Sequence, residues 1–145
     1  MPAVIRISGS RHELDQLVAA SGLPFVEALA VVRKRRLNPD TDYADTTYNL
    51  TISEIDGDAV PGQIDDSVNY LRENGKVIAD IHRAVNGSHC SLDFSWDFPM
   101  GAIGQYNTFP LDLIALLREN NIALTVSVYS TSYERANSCM SFFVK

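Results

Sequence analysis

The chain has 145 residues, of which 46% are hydrophobic and 21% are charged, and its formal net charge is −6. This length and composition predict a single domain over residues 1–145 with a sizeable core. The negative charge argues against a nucleic-acid partner, and the lack of a signal peptide or a long apolar run predicts a cytoplasmic protein without a membrane partner.

The N-terminal third begins with a predicted strand over residues 3–8, followed by a helix that ends at Gly22. Ser10 and Glu13 have the spacing of a capping box, in which each side chain satisfies a free backbone N–H group. Residues 27–36 predict a second strand, although alanines at two positions leave a helix open there.

The middle and the end of the chain continue this alternation of strands and helices. Residues 46–55 alternate apolar and polar side chains, as a half-buried strand does. Residues 63–86 have helical spacing and predict two helices, or one helix bent at Gly75. Pro110 begins a further helix, and residues 123–129 form a last alternating strand.

Residues 89–98 carry the clearest pattern, because apolar and polar side chains alternate there without a break. Such a strand has one face in a core and the other in water. The same alternation in the neighbouring strands predicts which side chains face the helices: Leu92, Phe94, Trp96, Leu50, Ile52, Val126 and Val128.

The order of elements is strand, helix, strand, strand, helix pair, strand, helix, strand. This order predicts an α+β fold, a mostly antiparallel sheet with helices on one face, and it begins like the ferredoxin-like β-α-β-β-α-β unit. Apolar residues also alternate over 138–144, which suggests an extra C-terminal edge strand that pairs within the chain or across a homodimer.

Four segments together resemble a known family: residues 7–9 before a helix, 95–97 before a loop, then 109–114 and 124–129. They are similar to the bacterial proteins grouped as domain of unknown function four-two-seven-nine. The resemblance covers most of residues 3–129 and rests on hydrophobic patterns. It implies the same fold and carries no catalytic residue.

The polar face of strand 89–98 is the first candidate site. Its members, together with those of the last strand if the two strands are neighbours, are His89, Ser91, Asp93, Asp97, Thr125 and Tyr129. A solvated sheet face, a partner-binding face and an acid–base site are all compatible with this pattern. If the face binds a partner, Asp93→Ala is expected to leave folding nearly intact and to weaken that binding.

A second candidate lies at the junction of the first strand and helix, where Ser10 and Arg11 favour an anion at free backbone N–H groups. An ordinary capped helix is the alternative. The histidines, His12, His82 and His89, lack metal-ligand spacing, so we expect neither a metal nor another cofactor.

These patterns predict a small cytoplasmic binding or interaction protein that uses the polar sheet face or an edge strand. Its partner is a protein, and the acidic charge suggests a basic one, as in an immunity protein that neutralises a toxin. The alternative is a hydrolase or small-molecule-binding enzyme centred on His89 and Asp93. A deep pocket that joins these two residues would favour the enzyme, and a flat face would favour the interaction protein.

Overall fold

The computed structural model describes residues 2–28, 45–99 and 101–130, which form five strands and three helices. In chain order they are β1 (Ala3–Ser10), α1 (Arg11–Ser21), β2 (Val26–Glu27), β3 (Asp45–Ser53), α2 (Val60–Ala84), β4 (His89–Phe98), α3 (Leu111–Glu119) and β5 (Ala123–Ser130).

The strands form one sheet in the order β2-β3-β1-β4-β5. Each neighbouring pair among the first four strands is antiparallel, with α1 joining β1 to β2 and α2 joining β3 to β4. This is the ferredoxin-like arrangement, and it confirms the predicted α+β class. The chain then adds β5 parallel to β4 through the crossover helix α3.

All three helices contribute to a single layer on one side of the sheet, since α2 contacts both α1 and α3. The core between the layers contains Leu14 of α1, Ile78 of α2 and Leu113 of α3, each completely buried. They pack with the inward side chains of β1, β3 and β4, such as Ile5 and Leu92. The opposite side of the sheet has no helix among the described residues.

The sequence prediction for α1 is wrong at the start of the helix and correct at its end. Ser10 is the N-cap residue, but its side chain forms no capping hydrogen bond, so the predicted capping box with Glu13 is wrong. β1 continues through Ser10 in its pairing with β3, which leads the strand directly into the helix. Gly22 ends the helix in the left-handed conformation, with φ of 70°.

In place of the two helices, or one bent helix, predicted over residues 63–86, the structure has one continuous helix, α2, of 25 residues. Gly75 does not divide it. A Cβ atom at Gly75 would lie 2.7 Å from Asn120 Nδ2 at the end of α3. The glycine therefore permits close approach of the two helices.

Five of the seven side chains predicted to face the helices are buried in the core: Leu50, Ile52, Leu92, Phe94 and Trp96. Val126 and Val128 are also on the predicted side of the sheet, but they are 36% and 55% exposed. Both lie on the helix side, because Val126 pairs with Phe94 and Val128 with Trp96. β5 is at the margin of the sheet, where the helix layer does not cover it.

Two sequence predictions lie mainly or wholly outside the described residues. Of the strand predicted over 27–36, only residues 27 and 28 are described, and β2 ends at Glu27. The edge strand predicted over 138–144 falls outside them altogether.

The centre of the aromatic core provides a test of this packing. Phe94 is completely buried, and its ring centroid lies 5.9 Å from that of Trp96 and 5.8 Å from that of Phe109. We expect Phe94→Ala to lower the free energy of unfolding by about 3–5 kcal/mol, because it removes a buried ring and leaves a cavity. Val126→Ala, in the neighbouring strand, should cost less than about 1 kcal/mol. Chemical denaturation of both variants measures this, and equal losses would contradict the burial difference.

Candidate functional site

The structure brings the two predicted halves of the polar sheet face together. β5 is the neighbour of β4, and the register places Thr125 beside Asp93 and Tyr129 beside Asp97. His89, Thr125 and Tyr129 are exposed, and Asp97 is partly exposed. The predicted adjacency of these side chains is therefore correct.

The expectation that Ser91 and Asp93 project into solvent is wrong. Ser91 is 7% exposed and Asp93 is 3% exposed. Asp93 Oδ2 lies 3.0 Å from Arg6 Nη2 of β1, and Asp93 Oδ1 accepts a hydrogen bond of 2.8 Å from Ser127 Oγ of β5. β4 has a strand on each side, and both neighbours supply partners that bury the carboxylate.

Asp93 thus connects three strands across the polar face. A buried carboxylate without partners would be strongly disfavoured, and here an ion pair and a hydroxyl donor satisfy it. Because Arg6 remains 46% exposed, the pair contacts water on one side only. The geometry gives Asp93 a structural role in holding β1, β4 and β5 together.

His89 and Asp93 are not brought together as a reactive pair. They lie on the same face of one strand, four residues apart, which corresponds to roughly 13 Å at about 3.3 Å a residue. Asp93 is also engaged by Arg6 and Ser127. General acid–base catalysis by both residues on one small group would require much closer approach.

His89 instead lies at the rim of a pocket of about 390 Å³ at the beginning of β4 and β5. The pocket is lined by the ends of α2 and α3 and by the first residues of the two strands, and Asp93 is not among its residues. Its lining consists of His82, Ser88, His89, Cys90, Leu117, Arg118, Asn121, Ile122 and Ala123.

Hydrogen bonds define the protonation of His82 in this pocket. Ser88 Oγ donates its single proton to the carbonyl oxygen of His82 over 2.8 Å. His82 Nδ1, at 2.7 Å from the same Oγ, must then be the donor of that contact. This leaves Nε2 as an acceptor for Asn121 Nδ2, 3.2 Å away. The imidazole is therefore assigned as neutral, and it links the ends of α2 and α3.

Two potential nucleophiles in the pocket are not activated. The hydroxyl proton of Ser88 points to a carbonyl group, so His82 does not act on it as a base. Burial raises the pKa of the Cys90 thiol to about 12, which keeps it protonated and unreactive at neutral pH. The pocket has the polar groups of a catalytic site without the arrangement that one requires.

Arg11 of the predicted anion site is paired with one of the protein's own carboxylates. Arg11 Nη2 forms an ion pair with Glu27 Oε1 of β2, and the same oxygen accepts a hydrogen bond of 2.8 Å from Thr46 Oγ1. The hydrogen bond from Arg11 is the main reason that the pKa of Glu27 is lowered. Arg11 therefore helps to attach α1 to the β2 side of the sheet.

A further surface, which the sequence analysis did not identify, lies along β5 and α3. Of the ten large hydrophobic side chains that are exposed among the described residues, eight fall between residues 103 and 129. On β5 they include Leu124, Val126 and Val128, in a row on the helix side of the sheet. The alternation of β5 gave their common face correctly but did not indicate that the face is uncovered.

The exposed side of α3 adjoins this row. Asp112 forms an ion pair with Arg72 of α2, 3.0 Å away, which identifies the side of α3 that faces α2. At about 100° a residue, Ile114 lies about 160° and Leu111 about 100° around the helix from Asp112, so neither is on the side that faces α2. Leu111 is 84% exposed and Ile114 is 42% exposed. We call Leu111, Ile114, Leu124, Val126 and Val128 the edge surface.

Comparison with protein-family models, with characterised proteins and with solved structures gave no match. The family resemblance found in the sequence therefore stays a prediction. Within the described ranges, no helix is long and apolar enough to cross a membrane, and no three His, Cys, Asp or Glu side chains are grouped as metal ligands.

The structural role of Asp93 changes the expected effect of its substitution. We expect Asp93→Ala to lower the free energy of unfolding by about 1.5–3 kcal/mol, because Arg6 and Ser127 lose a charged partner. Asp93→Asn keeps an acceptor for Ser127 and should lose less. Asp97→Ala, four residues away on the same face and partly exposed, is the control and should cost about 0.5 kcal/mol or less. An Asp93→Ala variant as stable as the control would refute the structural role.

The His82 pocket predicts a dependence of stability on pH. Burial is the main cause that lowers the pKa of His82 in the folded protein, and His89 and Arg83 lower it further. The unfolded chain, with a histidine pKa of about 6.5, therefore binds a proton more readily, and stability falls as pH decreases below about 6.5. His82→Gln should reduce this fall, whereas His12→Gln, on the exposed side of α1, should not.

Urea denaturation of the wild type and both variants at about pH 7.5 and about pH 5.5 measures the difference. If His82→Gln and wild type lose equal stability between these pH values, His82 is not the group responsible.

Proposed function

We propose that this chain is a small cytoplasmic protein-interaction domain that binds a partner at the edge surface. The observation that carries the proposal is the exposure of the apolar row of β5 beside a strand edge with which no other described strand pairs. Within the described part of the chain, β5 pairs with β4 alone. An eight-residue edge strand offers a row of backbone donors and acceptors to an added strand.

The chemistry of the edge surface indicates the kind of partner. Backbone hydrogen bonds along β5 favour an extended segment, and the exposed row favours apolar side chains at alternate positions of that segment. Leu111 and Ile114 supply a second row on α3 that a larger partner would cover. Exposed apolar surface of this kind is a frequent sign of a protein-binding site.

The net charge of −6 bears on the rate of encounter more than on the contact itself. A basic partner would be attracted at long range, and added salt would slow its association. Neutralisation of a basic toxin by an immunity-type protein is one function of this form. β5 itself, Ala-Leu-Thr-Val-Ser-Val-Tyr-Ser, carries no charged side chain.

The polar sheet face is less suited to be the main contact. Ser91 and Asp93 are buried, and Asp93 is committed to Arg6 and Ser127. His89, Asp97, Thr125 and Tyr129 remain accessible and could form a polar margin to the interface. The hydrolase alternative has little geometric support, because the pocket at His89 does not reach Asp93.

Substitutions on β5 test the proposal against a partner isolated from the native host by cross-linking to the tagged protein. We expect Val128→Lys to weaken binding of the purified partner about tenfold or more, because it places a charge in an apolar contact. Val26→Lys is the matched control, since Val26 is also an exposed valine but lies on β2, at the opposite margin of the sheet.

Calorimetric titration of wild type and both variants measures the affinities, and melting curves establish that the variants fold. If Val128→Lys binds the partner as wild type does, and a Thr125→Ala, Tyr129→Ala double variant loses binding, then the binding site is on the polar face.

A further inference from the structure

We infer that a second copy of this chain binds the edge surface, so that β5 pairs antiparallel with β5 of the partner around a two-fold axis. This inference rests on the proposed function, because it names the occupant of the same site. Three properties of the surface support it: the symmetry of its side chains, the position of α3, and the distribution of charge between the two sheet margins.

The apolar row of β5 is complementary to itself. A two-fold axis at Val126 places Val126 opposite its own copy, and it places Leu124 opposite Val128 of the partner subunit. All three positions lie on the helix side of the sheet, and a two-fold axis perpendicular to the sheet keeps them on one side in both copies. The six side chains would form one continuous apolar row, as cross-strand pairs in an antiparallel sheet do.

The helix layer would close at the same time. α3 joins β4 to β5 and contacts β5 on the helix side of the sheet. Pairing of the two β5 edges would then bring the two copies of α3 to the same side of the joined sheet, one on each side of the two-fold axis. Ile114 and Leu111 lie away from α2 and are exposed, so they are available for this contact.

The distribution of charge permits two acidic chains to meet at this margin. β5 has eight residues and no charged side chain, so pairing brings no like charges into direct contact. The opposite margin, β2, has two residues, Val26 and Glu27. Glu27 carries a negative charge, although Arg11 neutralises it within the chain. Short length and charge are the usual protection of a strand edge, and β5 has neither.

Charge substitutions at the two-fold position test the inference directly. Val126→Lys and Val126→Glu each place like charges opposite one another, so each variant should lose the dimer that wild type forms. An equimolar mixture places opposite charges there and should recover a dimer of one chain of each type. Val26→Lys should remain as dimeric as wild type. Sedimentation velocity over a concentration series, with melting curves for every variant, measures these outcomes.

Hydrogen exchange of wild type provides a second measurement that does not depend on a variant. Exchange protection of β5 amides should increase with protein concentration, and that of β2 amides should not. Protection of β5 in a protein that is monomeric at every dilution would mean that another part of the same chain occupies the edge, and it would overturn the inference.

Different experimental results would contradict the inference and the proposed function. A dimer that persists in both Val126 variants would use another surface, and the inference would be wrong. A wild-type protein that is monomeric at every concentration would also refute the inference. The proposed function would still be supported if Val128→Lys lost binding to a purified heterologous partner. A monomer whose partner binding is indifferent to Val128→Lys would refute both.

Discussion

The parallel pairing of β4 with β5 is the interaction on which the surfaces of this protein depend. The first four strands and two helices already form a ferredoxin-like unit, in which β4 would be a margin of the sheet. Adding β5 in parallel requires the crossover helix α3, and α3 extends the helix layer beside α2. β5 becomes the new margin of the described sheet, and α3 leaves its apolar side chains partly exposed.

The same pairing buries polar side chains at the centre of β4, which would otherwise be exposed to solvent. With β1 on one side and β5 on the other, Asp93 receives Arg6 from the first and Ser127 from the second. A carboxylate that would be solvated on a margin strand is buried and paired on an inner strand. On β4 the polar residues at the centre of the strand are buried, and the accessible ones, His89 and Asp97, lie toward its two ends.

The pocket at His82 has the same origin. The beginnings of two parallel strands lie side by side, and the helices that precede them, α2 and α3, both end there. His82, Ser88 and Asn121 connect these ends by hydrogen bonds, and Gly75 permits α3 to lie close to α2. The polar groups are thus used to join elements, which accounts for a pocket with histidines and a serine but no activated nucleophile.

The sequence by itself determined the local structure. Alternation with a period of two identified the strands β1, β3, β4 and β5 and the side of each strand that is apolar, and helical spacing identified α1, α2 and α3. These are properties of neighbouring residues, so a single chain contains them. The α+β class followed from the order of the elements.

Tertiary structure decided what lies next to each face. Leu92 and Val126 belong to equally regular strands, yet the first is buried and the second is exposed, because β4 is an inner strand and β5 a margin. Asp93 and Asp97 are equivalent in the alternation, but only Asp93 is reached by Arg6 and Ser127. Arg11, a candidate anion ligand in the sequence, is paired with Glu27 by the return of β2 to the sheet. Burial, pairing and exposure depend on contacts with residues distant in the chain. A local sequence pattern does not indicate which distant residues will be in contact.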